Sequence, residues 1–192
     1  MNKEEVLKLF QETEALLEGH FLLSSGLHSP QYFQCARVLQ YPRHTEKLCR
    51  EIAQHFRTKG IEVVISPALG GIIVGQEVAR QLGARSIFAE RSNGILQLRR
   101  GFEIKAGERV LACEDVVTTG GSIGEVIKIA GKSGGSIVGV ACIVDRSSGQ
   151  LGADLAEELF SVLKMDVVTY KQEECPLCQQ NQPLMKPGSR SM

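Results

Sequence analysis

From residue 61 onward, short apolar runs alternate with glycine-rich turns and helix-forming stretches, and this alternation limits the available folds more than any other feature. EVVIS is followed by PALGG and then IIVGQEVARQLG. SIFAE is a second strand candidate, RVLACED leads into TTGGS and IGEVIKIAGKS, and SIVGVACIVDR is the longest apolar run. Runs without a polar face belong to strands covered on both sides. A parallel sheet flanked by helices, hence an α/β fold, is expected, with no internal repeat.

The segments before and after this core have a different texture. Residues 3–18 carry apolar side chains at Val6, Leu9, Phe10, Ala15, Leu16 and Leu17, which predicts one helix ending at Gly19. A polar, turn-rich stretch (SSGLHSPQYFQCA) follows, and then a second helix over about 43–59, stopping at Gly60. SNGILQLRRGFEIKAGE has hairpin or loop chemistry. Beyond Tyr170 the chain is polar and broken by Pro176, Pro183 and Pro187, as suits an irregular surface arm.

A length of 192 residues suits one core. The 22 basic and 22 acidic side chains cancel, which leaves no positive excess for non-specific nucleic-acid binding, so any anionic ligand needs a local site. No apolar run is long enough for a membrane span, and Glu4, Glu5, Glu12 and Glu14 stand where a signal peptide needs a basic flank and an apolar core. A cytoplasmic protein without membrane attachment is expected. Its six cysteines should then be reduced, Cys113 and Cys142 as core thiols.

Chemistry concentrates in VLACEDVVTTGGSIGEV. A buried strand delivers Glu114 and Asp115 to the carboxyl edge of the sheet, where open α/β folds bind ligands. Thr118, Thr119, Gly120, Gly121 and Ser122 then offer hydroxyls and unobstructed N–H groups at a helix N-terminus, a cradle for phosphate. Carboxylates beside such a cradle suggest a phosphorylated sugar. The plainer reading is a strand end followed by a helix cap. A P-loop is excluded, because Gly70 and Gly75 have its spacing but Gln76 and Glu77 occupy its lysine and hydroxyl positions.

This segment, with Val116 and Val117, resembles the signature of type I phosphoribosyltransferases that binds phosphoribosyl pyrophosphate (PRPP). The resemblance implies that fold, with the acid pair on the ribose hydroxyls and the following loop around the 5-phosphate. It assigns the turn at Ala68, Leu69, Gly70 and Gly71 to pyrophosphate, with Ala68–Leu69 as the candidate for the family's cis peptide. GHFLLSSGLHSPQYF is similar to the orotate phosphoribosyltransferase segment GxFxLxSGxxSPxYF, which lies over the base, and IVDR puts Arg146 where that family has an arginine on orotate. Thr118, Tyr32 and Phe33 join Arg146 as implied orotate contacts, although the two aromatics also read as core residues and Arg146 as a surface arginine after a strand.

The resemblance further implies one unit over residues 1–192, with a core at about 43–170, an N-terminal hood at 1–42 and an arm at 171–192. It implies Mg2+ held mainly through PRPP, and a homodimer whose mobile loops cover each other's sites. Two departures stand out: Ser24 replaces a common lysine, and AERSNGILQLRRGFEI lacks the lysine-rich loop string. Arg91 matches the first arginine of that string, and Arg99, Arg100 or Lys105 are candidates to replace the rest. In this family the base nitrogen attacks C1 of the ribose as pyrophosphate leaves. Purine phosphoribosyltransferases share the PRPP signature without the SSGxxSPxYF segment, and a non-enzymatic PRPP sensor would add a DNA-binding domain or a basic face.

Cys175 and Cys178, in CPLC, have zinc-ligand or redox spacing with no second pair nearby, and read as structural thiols of the tail. His28 reads as a solvated loop residue. Neither it nor His20, His44 or His55 shows ligand spacing.

Overall fold

The structure, a computed structural model, describes residues 1–23, 26–147, 159–166 and 168–186. Ser24 and the segment from Pro187 onward lie outside them. The chain opens with α1 (Lys3–Glu12), a hairpin of β1 (Leu16–Leu22) and β2 (His28–Phe33), the short α2 (Cys35–Leu39) and α3 (Pro42–Phe56). There follow β3 (Val63–Pro67), α4 (Gly70–Leu82), β4 (Arg85–Ser92), β5 (Ile95–Leu98), β6 (Arg109–Val117), α5 (Gly121–Lys132), β7 (Ser136–Asp145) and β8 (Leu159–Lys164). A 3-10 turn at Gln172–Glu174 and α6 (Pro176–Gln179) complete the described chain.

The main sheet has the order β5–β4–β3–β6–β7–β8 and is parallel except at its edge, where β5 runs against β4. Its apolar strands divide their side chains between two cores. Val64, Leu111, Cys113, Ala141 and Ile143 meet α1, α3 and α4 on one face. Val63, Ile65, Val110, Ala112, Val140 and Cys142 meet α5 through Ile123, Val126 and Ala130 on the other. Successive residues point to opposite faces, so an uninterrupted apolar run is what two covered faces require. The expected α/β sheet is therefore present.

The N-terminal expectations need correction. The helix predicted to reach residue 18 stops at Glu12, capped at its start by the reciprocal Asn2–Glu5 box. At its end the Thr13 hydroxyl donates back to Leu9 O at 2.7 Å, and Glu14 takes a left-handed φ of 51°. Ala15, Leu16 and Leu17 suit either period locally; the ladder that pairs Leu16 with Phe33 and Leu17 with Tyr32 makes them extended. The stretch read as turns likewise holds β2, despite Pro30, because the β1–β2 register shifts between Glu18 and Phe21 and leaves the proline out of the pairing. The mixed run of β8, to which the sequence assigns no strand, is extended because it pairs in parallel with β7.

The C-terminal arm is tied down rather than loose. His28 and Tyr170 exchange backbone hydrogen bonds of 2.8 and 2.9 Å. Leu22 N–H donates to Met185 O, and Met185 N–H to His20 O, both at 2.8 Å. The arm thus pairs with both strands of the hairpin.

Candidate active site

Chain order along the sheet reverses at β3: the chain moves outward to β4 and β5, then returns to the other side of β3 as β6. At such a switch point the loops leaving two neighbouring strands diverge and open a crevice at the carboxyl edge. The turn after β3 and the turn after β6 border it. Between these turns lie Glu114 and Asp115.

Gly70 and Gly71 press against the acid pair. A Cβ at Gly70 would collide with the Asp115 carboxylate, and one at Gly71 would stand 2.9 Å from Glu114 Oε1. Both positions therefore need glycine for close approach. The Ala68–Leu69 peptide is cis, at the bond singled out from the sequence. Leu69 is exposed, and Ala68 N–H donates to Ala89 O at 2.9 Å.

Glu114 is 8% exposed, and its Oε1 accepts a long 3.3 Å hydrogen bond from Asp115 N–H. Burial, and next the charge of Asp115, push the Glu114 carboxyl up to about 9; burial also raises Asp115. Among the described residues neither carboxylate has a lysine or arginine in an ion pair. The pair holds a proton at neutral pH and, among the described residues, lacks the cation that its ionised form requires.

Beyond the pair, the chain turns through Thr118 and Thr119, both exposed, and through Gly120 with φ 75° into α5. Glu114 and residues 116–123 line one pocket. The first N–H groups of α5, which no preceding turn can satisfy, lie in that wall. The cradle read from the sequence is thus joined to the acid pair.

Arg146 follows β7, its guanidinium 5.5 Å from the ring centre of Phe33. Burial lowers its pKa, and among the described residues its buried Nε has no hydrogen-bond partner. An unpaired guanidinium nitrogen over an aromatic ring awaits an acceptor. Phe33 is nevertheless a core residue, packed edge-on to Phe10 at 5.8 Å, while half-buried Tyr32 lies 5.7 Å from Phe21.

The loop arginines are engaged elsewhere. Arg91 pairs with Glu125 of α5 at 2.8 Å and also donates to Gly94 O. Arg100 makes a two-pronged pair with Glu90, each contact 2.8 Å. Arg99 and Lys105 are exposed. None of the four forms an ion pair with the acid pair.

The family described as Phosphoribosyl transferase domain matches residues 37–169. An orotate phosphoribosyltransferase of Caldicellulosiruptor saccharolyticus is 55% identical over 192 residues, covering all of both chains, and that of Chlorobium phaeobacteroides is 53% identical over all of this chain and 98% of its own. This chain belongs to the orotate phosphoribosyltransferase family. The crystal structure of the Aeropyrum pernix orotate phosphoribosyltransferase superposes with TM-score 0.71 at 27% identity, over 83% of this chain and 93% of that one. The Mycobacterium tuberculosis orotate phosphoribosyltransferase in complex with inorganic phosphate gives 0.68 at 26%, over 84% and 95%. An adenine phosphoribosyltransferase of Rhodothermus marinus, 20% identical with TM-score 0.67, shares the fold.

Against this family background the histidines are the main departure from the sequence reading. His28, expected in a solvated loop, is 2% exposed in β2 and lies 2.8 Å from His20, with Cys175 and Cys178 alongside. The CPLC thiols thus have partners from the hairpin, and the spacing argument against the histidines fails. No local signal announces this, since His20 and Cys175 lie 155 positions apart.

Proposed function

We infer that this chain transfers the ribose 5-phosphate of PRPP to orotate, giving orotidine 5′-phosphate and pyrophosphate in pyrimidine synthesis. One observation carries the reading: an acid pair, Glu114 buried and Asp115 half-buried, without cationic partners among the described residues, packed on a glycine turn and continuous with a helix-start cradle. The full-length relatives support orotate rather than a purine as the base.

In this reading Glu114 and Asp115 accept hydrogen bonds from the ribose hydroxyls, and residues 116–122 surround the 5-phosphate. Residues 68–71 face pyrophosphate. The unpartnered Arg146 takes an orotate oxygen, beside Tyr32 and Phe33, with Thr118 contributing from the turn. A ring nitrogen of orotate forms the bond to C1 of the ribose as the bond from C1 to pyrophosphate breaks, and the carboxylates lie near the positive charge that develops on the sugar. The oxygen-rich donor set fits Mg2+, which supplies charge neutralisation for the leaving pyrophosphate and is held mainly through PRPP.

Arg91, Arg99 and Arg100 turn to the leaving group when the loop closes, across a homodimer interface, with Lys105 as a further candidate. Opening the exposed pairs to Glu125 and Glu90 costs little, because solvent screens surface ion pairs and their side chains regain freedom on release. We also assign residues 1–192 to one functional unit, with the hairpin and arm as its hood, acting in the cytoplasm. No helix among the described residues is long and apolar enough to cross a membrane.

The test is to incubate the protein with PRPP, Mg2+ and each of orotate, adenine, guanine and hypoxanthine, following ultraviolet absorbance. Orotate alone should be consumed, in proportion to PRPP. Faster turnover of a purine would overturn the assignment.

A further inference from the structure

His20 of β1, His28 of β2, and Cys175 and Cys178 of the arm converge away from the acid pair. Their four ligand atoms all lie within 4.8 Å of one another. His20 Nε2 is 2.8 Å from His28 Nδ1, 3.6 Å from Cys175 Sγ and 3.7 Å from Cys178 Sγ, while Cys178 Sγ is 3.3 Å from His28 Nδ1. A tetrahedral zinc ion with bonds of about 2.0–2.1 Å to nitrogen and 2.3 Å to sulfur separates its ligand atoms by roughly 3.3–3.8 Å. Three of the four sulfur–nitrogen distances lie in that range; the two nitrogens must move apart by about half an ångström, and the remaining pairs, within 4.8 Å, must settle into it.

Hydrogen bonding among neutral side chains leaves this cluster crowded. His20 Nδ1 lies 2.9 Å from Gln182 O, an acceptor, so that nitrogen carries the ring proton and Nε2 presents a lone pair. With His20 neutral, His28 Nδ1 then donates to it, and both sulfurs crowd the same lone pair at 3.6 and 3.7 Å. A cation in place of the hydrogens between them turns the crowding into coordination. The Gln182 carbonyl meanwhile fixes the ring of His20, as second-shell acceptors do for metal-bound histidines.

The donor set selects the ion. Two thiolates and two imidazoles suit zinc, and two thiolates cancel its charge, so a buried site stays neutral. His20 and His28 are each 2% exposed and Cys175 is fully buried, which leaves no open position for substrate. Cys178 is half-buried. Cys175 caps the single turn of α6 and Cys178 lies within it, and the two histidine rings lie 4.8 Å apart on the hairpin. We propose that His20, His28, Cys175 and Cys178 bind one zinc ion as a closed structural centre that fastens the C-terminal arm to the N-terminal hairpin. Binding displaces one proton from each thiol to solvent. Tyr32 and Phe33 lie on the strand that His28 begins, so the centre also holds the aromatic side of the site; its existence does not depend on which base is used.

The experiment measures metal in the full-length protein, purified anaerobically under reducing conditions. Mass spectrometry of the elements should find about one zinc per chain. The double variant Cys175→Ser, Cys178→Ser should lose it. Chelator-stripped wild type refilled with Co2+ should show intense visible bands and thiolate-to-cobalt charge transfer. Should the variant fail to fold, maleimide labelling of wild type decides: Cys175 and Cys178 should be protected with zinc and modified after chelation. The proposal is overturned by failure to retain or take up zinc, by a cobalt spectrum without charge transfer, by equal zinc in the variant, by labelling indifferent to chelation, or by a Cys175–Cys178 disulfide in the isolated protein.

Discussion

Replacing Glu114 by glutamine should stabilise the ligand-free protein increasingly as pH rises. An unfolded glutamate ionises near its ordinary 4.5, whereas burial and Asp115 hold the folded carboxyl protonated up to about 9. Between those values the folded state binds one more proton than the unfolded state. The stability contributed by that proton is fully present below about 4.5 and is lost as pH rises through about 9, at about 1.4 kcal/mol per pH unit. Glutamine keeps the shape and does not titrate. The variant's advantage should therefore grow with pH, toward roughly 4 kcal/mol near pH 7.5 as an upper figure, since Asp115 shares the pair's charge. Urea denaturation of both proteins from about pH 5.5 to 8.5 measures it, and turnover of the same variant should fall about 10²-fold or more. A stability difference that stays flat over this range would refute the reasoning, because Glu114 would then be ionised in the fold.

Arg146→Ala should raise KM for orotate by roughly 10- to 150-fold, as expected for loss of a charged hydrogen bond of about 1.5–3 kcal/mol, with a much smaller rise for PRPP; equal rises would place Arg146 away from the base. Gly70→Ala drives a methyl group into the Asp115 carboxylate and should cut kcat tenfold or more, at about 1–3 kcal/mol of strain, with circular dichroism unchanged; full turnover would show that the turn need not touch the acid pair. Mixing and exchanging subunits of Arg99→Ala/Arg100→Ala with subunits of Asp115→Asn should restore about a quarter of wild-type activity, because half the dimers are mixed and each has one sound site. Absence of recovery despite proven exchange would mean that the loop serves its own subunit or that these arginines are not catalytic.

Much of the core was legible because its determinants are local. Strands buried on both faces must be apolar without alternation, so EVVIS, RVLACED and SIVGVACIVDR marked β3, β6 and β7, and the TTGGS turn marked the start of α5. The acid pair was legible for the same reason: its carboxylates, hydroxyls and glycines sit in one continuous segment. Tertiary structure decided what local period left open. Ala15 to Leu17 became strand because Leu16 and Leu17 found Phe33 and Tyr32, and β8 exists because β7 offered it an edge. Only folding could show that Gly70 and Gly71 press on carboxylates of another strand, that Arg91 and Arg100 hold surface glutamates, and that the nitrogen of Arg146 lacks a partner. The histidine–cysteine cluster is the extreme case: the spacing of CPLC is written in four residues, but its other two ligands come from about 150 positions earlier in the chain, brought there by backbone pairing of the arm with the hairpin.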